Sequence, residues 1–301
     1  MTENRKLSHS TLAKLSGLSR QQLDDFMATW SELPVGERRR AVRTLIDLAE
    51  DNLELDYNDL FRRLTTDADP EVRALSIEGL WEDDRGGTAD LLIEAARRDA
   101  DESVRAAAVD GLGRFALRLA LDEVPPPLSD RIRAALLDLA SPGAPRELRR
   151  RAVEAGGYLG EEPAFRAAVQ SAFATPDTEL KASAIKAMGR SCDATWHDTI
   201  LRELGSSEPE IRFEAAHAAG EMEDERFVPA LVEALGDDDS EVRLAAIESL
   251  GAIGGQRARQ ALQRVRQGRD QAMVEAAGAA LEELDTLADP LGIRVRDVNP
   301  N

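Results

Sequence analysis

One pattern of apolar and polar positions recurs along the chain: an acidic residue, then apolar residues returning every fourth position. DPEVRALSIEGL begins at Asp69, DESVRAAAVDGLG at Asp101, DTELKASAIKAMG at Asp177, EPEIRFEAAHAAG at Glu208, DSEVRLAAIESLG at Asp239 and DQAMVEAAGAALE at Asp270. A degenerate copy, PRELRRRAVEAGG, starts at Pro145, and a weaker one surrounds ERRRAVRTLIDLA at Glu37. The apolar anchors are Val72, Val104, Leu148, Leu180, Ile211, Val242 and Met273, with successive spacings of 32, 44, 32, 31, 31 and 31 residues. Anchor, fourth and eighth following residues share one face of a helix. The fourth is always small (Ser76, Ala108, Ala152, Ala184, Ala215, Ala246, Ala277), which lets a neighbouring helix approach closely. The acid three residues before the anchor stands where an N-cap belongs, since it accepts orphan N–H groups and favours the positive end of the helix. Gly113, Gly157, Gly189, Gly220 and Gly251 are read as left-handed stops at the helix ends.

Between these capped helices lie further amphipathic stretches, Tyr57–Thr65, Ala89–Arg98, Ser129–Ala140, Glu161–Phe173, Trp196–Leu204, Glu225–Leu235 and Gln256–Gln267. Each unit is thus a helix–turn–helix that cannot bury its apolar face alone, and stacking such units does so. The phrase D-x-E-V-R-x-A-A-x-x-L-G resembles the short HEAT-like repeat of bacterial proteins, including the type found in phycobilin lyases. The resemblance spans roughly Leu33 to Leu284. The expected fold is all-α, a right-handed α-solenoid of about seven to eight HEAT-like repeats. The resemblance points to a scaffold and is nearly silent on activity.

Three segments fall outside the regular period. Residues 1–32 are expected to form an N-terminal helical cap, residues 33–284 the repeat solenoid and residues 285–301 a C-terminal tail. Within the cap, TLAKLSGLSRQQLDDF has the outline of a DNA-binding helix-turn-helix. Gln21 and Gln22 would suit a groove, but Asp24 and Asp25 follow at once. The 44-residue step contains an insertion near 114–129, where Pro125–Pro127 force an extended turn. It reads either as a partner-gripping loop or as a tolerated surface insertion. Trp81 and Trp196 are expected to fill the core at helix ends.

Charge and composition narrow the function. The chain has 38 basic and 57 acidic residues, a formal charge of −19 that disfavours nucleic acid as a partner. Cys192 is the only cysteine, which removes internal disulfides and cysteine-based zinc sites. His9, His197 and His217 are in no metal-ligand spacing, and none is followed by the glutamate that HEAT-type iron hydroxylases require. No apolar run is long enough to span a membrane, and no signal peptide is evident at the start, so a cytoplasmic protein is expected. No catalytic residue, cofactor site or metal ligand set is assigned.

The column of cations after the anchors, Arg73, Arg105, Arg149, Lys181, Arg212 and Arg243, reads as a ladder with acids of its own or the adjacent repeat, Asp69, Asp101, Asp177 and Asp239 among them. Positions two and six after the anchor should point onto the solenoid's inner face. There Phe213, His217, Leu244 and Glu248, with Arg150 and Lys186, are the candidate partner-binding residues. The expected function is a non-catalytic protein-binding scaffold or adaptor whose partner offers basic surface. The alternatives are a phycobilin-lyase-like subunit and a DNA-linked regulator acting through the N-terminal segment.

Overall fold

The structure is a computed structural model and describes residues 8–288. Among these residues every regular element is helical. In chain order the helices are α1 (His9–Leu12), α2 (Arg20–Trp30), α3 (Val35–Asp51), α4 (Asn58–Leu64), α5 (Pro70–Glu78), α6 (Gly86–Arg98), α7 (Glu102–Ala120), α8 (Leu128–Leu139) and α9 (Arg146–Gly156). They continue as α10 (Pro163–Phe173), α11 (Thr178–Ser191), α12 (His197–Glu203), α13 (Pro209–Glu221), α14 (Val228–Ala234), α15 (Ser240–Ile253), α16 (Gly255–Arg266) and α17 (Gln271–Ala288). Contacts divide the chain into two compact units, residues 1–155 and 156–301.

In the first unit α3, α5 and α7 stack in sequence, with α4 and α6 packed behind them as the other arm of each hairpin. In the second, α11, α13, α15 and α17 stack in sequence, and α10, α12, α14 and α16 form the second layer. The capped helices start where the acids predict. Asp69 accepts the Val72 N–H at 3.1 Å, Asp177 that of Leu180 at 3.1 Å, and Asp239 those of Glu241 and Val242 at 2.9 and 3.3 Å. Each such cap is worth about 1 kcal/mol. The anchors are buried, Val72, Val104 and Val242 completely.

The glycines require a correction. Gly113, Gly189, Gly220 and Gly251 do not end helices: they lie inside α7, α11, α13 and α15. At Gly189, Gly220 and Gly251 bareness serves close helix packing instead, whereas a Cβ on Gly113 would make only an ordinary contact, 3.6 Å from Ala155 Cβ. A Cβ on Gly189 would lie 2.6 Å from Ala218 Cα, and one on Gly220 would lie 2.6 Å from Ser249 Oγ. The left-handed turn comes three residues later, at Cys192 (φ 48°), Glu223 (φ 50°) and Gly254 (φ 69°). Gly157 likewise opens a short 3-10 turn against Ala187 and has no left-handed φ.

Before the first hairpin, Leu12, Leu23 and Trp30 bury in one cluster with Val42, Leu45, Leu60 and Phe61. Trp30 Nε1 donates to Asp67 at 2.7 Å, Arg38 holds the same carboxylate, and Arg63 pairs with Asp24. The long period step is accounted for by α7, which runs on to Ala120, and by the loop before α8. That loop contains a cis peptide between Pro126 and Pro127. Most of the expected 285–301 tail, residues 289–301, lies outside the described residues. No described helix is long and apolar enough to cross a membrane.

Candidate functional site

The cation column is built into the joints between hairpins. Arg73 forks onto Asp99 at 2.8 and 2.7 Å and donates to the Asp67 carbonyl at 2.9 Å. Arg212 does the same with Asp237, at 2.7 and 2.8 Å, and with the Ser206 carbonyl at 2.9 Å. Lys181 reaches Glu203 at 2.6 Å. Arg105, Arg149 and Arg243 donate to the carbonyls of Asp99, Ala140 and Asp237. Among the expected acids, Asp69 takes an arginine fork, from Arg39. Asp101, Asp177 and Asp239 cap their own helices. The aspartates that hold Arg73 and Arg212, Asp99 and Asp237, stand two residues before the caps, as does Asp67, which holds Arg38. Asp67, Asp99 and Asp237 each also accept the N–H of the following cap residue, at 2.8, 2.9 and 2.9 Å. The guanidinium of Arg212 holds the Asp237 carboxyl below the usual carboxylate range.

The residues chosen for partner contact come together in part. Phe213 and His217, one turn apart on α13, meet edge to face with ring centroids 4.6 Å apart. His217 Nε2 lies 4.0 Å from Glu248 on α15. Phe213 and Leu244 are both half-buried, while Glu248 is exposed. Beside them is a hollow of about 260 Å³ lined by Pro209, Glu210, Phe213, Asp239 and Glu241. It has an aromatic wall and a carboxylate rim. Lys186 belongs to α11 of the same unit. Arg150 belongs to α9 and is bound to Glu147 and Glu154 at 3.1 and 2.9 Å.

A second hollow, of about 250 Å³, lies in the first unit and was not expected. Ile77, Glu78, Trp81, Asp110 and Arg114 line it. Trp81 is 38% exposed, so it does not fill the core as expected: α5 ends at Glu78, and Arg114 bonds the Leu80 and Trp81 carbonyls just beyond. Burial, with Asp110 alongside, raises the Glu78 carboxyl, and burial raises that of Asp110.

The other sequence candidates are occupied locally. Gln22 closes a capping box with Ser19, and Gln21 bonds Asp25 at 3.0 Å, so both amides are engaged within their own helix. His197 is buried, edge-on to Phe227 and 3.5 Å from Asp224. Cys192 is exposed in its left-handed turn, not tucked inside. Among the described residues no group of three or more His, Cys, Asp or Glu side chains could hold a metal ion.

Stacked helical hairpins with capped, small-residue contacts define a class of repeat protein, and comparison gives it a family. Residues 57–135 and 197–282, more than half of the chain, match the family model for HEAT repeats. The protein belongs to that family, and its fold is an α-solenoid of HEAT-like repeats. Among solved structures it is similar to the complex of CpcE and CpcF of phycocyanin lyase from Nostoc. That likeness has 17% identity and a TM-score of 0.50, and covers 76% of this chain and 94% of that one. It is also similar to YibA from Escherichia coli (17% identity, TM-score 0.47, 89% and 97% covered). Human deoxyhypusine hydroxylase is a third (18% identity, TM-score 0.37, 88% and 96% covered). No curated protein matches the chain.

Proposed function

We propose that the protein is a non-catalytic scaffold or adaptor of the cytoplasm that docks a protein partner on the face of α13 and α15. The observation that carries this reading is the half-buried Phe213 ring, edge to face with His217 beside a hollow rimmed by Glu210, Asp239 and Glu241. An aromatic wall with carboxylates at its edge suits an arginine or lysine, whose aliphatic stem lies on the ring while the charge meets the acids. The overall charge of −19 favours a basic partner and makes its association fall as salt rises. The test is a low-salt pull-down from the native host with the wild type and the Phe213→Ala, Leu244→Ala double variant. Loss of a stoichiometric protein partner with unchanged melting supports the reading, and unchanged capture removes the site from this face.

A phycobilin-lyase-like reading rests on likeness to the phycocyanin lyase complex, which extends to the fold. It is tested by colour: a linear tetrapyrrole mixed with the protein should then shift its absorbance.

A further inference from the structure

Almost every arginine of the ladder is committed to a carboxylate or a carbonyl, but one helix departs from that economy. From Gly255 to Arg269 the chain carries five arginines and no acid, in a protein of −19. Within this stretch QRARQ, at 256–260, returns as QRVRQ at 263–267. Seven residues are nearly two turns, so the second copy repeats the first on the same side of α16, displaced by about 10.5 Å along the axis. Ala258, Ala261 and Leu262 between them are buried against the rest of the unit, which fixes the repeated face outward. Arg257, Arg264, Arg266 and Arg269 are exposed and pair with no acid among the described residues. Only Arg259 does so, with Asp285.

We propose that α16 is a second docking face, for an acidic helix whose carboxylates recur every seven residues. Such a helix presents charges at the same spacing of about 10.5 Å as Arg257 and Arg264, and guanidinium groups take carboxylates in a fork. The four glutamines between the arginines can donate to and accept from the partner without adding charge. The extent of the face argues for a short protein segment and against a long polyanion. Glu225 lines the same hollow as Arg257, and Asp285 pairs with Arg259. A nucleic acid running beyond the helix meets these acids and the overall negative charge.

The site is distinct from the Phe213 face and opposite to it in sign, so the two readings succeed or fail separately. The test uses the full chain and a fluorescein-labelled helical peptide with glutamates in heptad register, followed by anisotropy at low salt. The controls are a peptide of the same composition with the glutamate spacing scrambled, a DNA duplex and phosphatidylserine vesicles. The heptad peptide should bind, lose affinity as salt rises, and bind roughly tenfold or more weakly to the Arg257→Glu, Arg264→Glu variant. A lysine-for-glutamate version of the peptide should recover binding to that variant. Phe213→Ala should leave binding unchanged. Both arginines are exposed and pair with no acid among the described residues, so helix content and melting should match the wild type. The proposal is overturned if the scrambled peptide binds as well, if charge reversal has no effect, or if the duplex or the vesicles bind more tightly through the same arginines.

Discussion

Gly189→Ala separates the two roles a helical glycine can have. In an open helix position, alanine for glycine stabilises by about 1 kcal/mol through backbone entropy. At Gly189 the new Cβ would lie 2.6 Å from Ala218 Cα and 2.9 Å from its Cβ. Carbon atoms prefer about 3.5–4.0 Å, so α13 must retreat by roughly 1 Å or α11 must bend. The obstructing atom is backbone, and Ala218 is itself buried, so no rotamer change relieves the contact. Forcing a methyl into such an interface costs about 1–3 kcal/mol. After the propensity gain the variant should still lose up to about 2 kcal/mol. Gly278, inside α17, is the internal control, because a Cβ there meets nothing within 4 Å. Gly278→Ala should therefore be neutral or stabilising. Urea unfolding followed by circular dichroism gives the two midpoints, which should move in opposite directions. A rise at Gly189→Ala equal to that at Gly278→Ala refutes close approach as the reason for this glycine.

Other perturbations reach different parts of the fold. Asp83 is buried, and burial opposes its charge, but forks from Arg85 and Arg62 outweigh that and hold its carboxyl far below the usual range. The folded value is depressed, so this stabilisation is fully present above about pH 5 and is lost as pH falls below about 4. Asp83→Asn should cost about 2–3 kcal/mol at neutral pH and flatten the acid limb of a urea-midpoint-against-pH curve; an unchanged limb contradicts this. Trp30→Phe keeps the packing but removes the indole N–H from Asp67, and calorimetry should show a loss of about 1–2 kcal/mol. Arg212→Lys keeps the charge, yet one ammonium cannot hold both Asp237 oxygens and the carbonyls of Ser206 and Ser207. Thermal melting should place it nearer Arg212→Ala than the wild type.

The helices were legible in the sequence because their causes are local. Caps at Asp69, Asp101, Asp177 and Asp239, together with the apolar spacing, locate each capped helix to within a residue of where it begins. Roles that depend on a neighbour were misread or missed. Gly189 and Gly220 lie near helix ends, where a glycine stop is the ordinary expectation, and only the adjacent helix reveals that their bareness serves packing. Asp67, Asp99 and Asp237 look like extra loop acids until the previous repeat's arginine is seen to fork onto them. A readable signal did exist: an aspartate two residues before an aspartate cap recurs at 67/69, 99/101 and 237/239. Phe213 beside His217 was legible from helical spacing, whereas the carboxylate rim depends on α15 starting next to it. The basic face of α16 was hidden because net charge averages it into a strongly acidic chain.

The most direct measurement places a photo-crosslinking amino acid at Leu244 in the full chain expressed in its native host, with a second version carrying it at Gly278. The expected result is one dominant protein adduct from Leu244, absent from Gly278, that diminishes with added salt and with Phe213→Ala. Equal adducts from both positions, or an adduct insensitive to Phe213→Ala, contradict the assignment of the α13–α15 face as the docking surface.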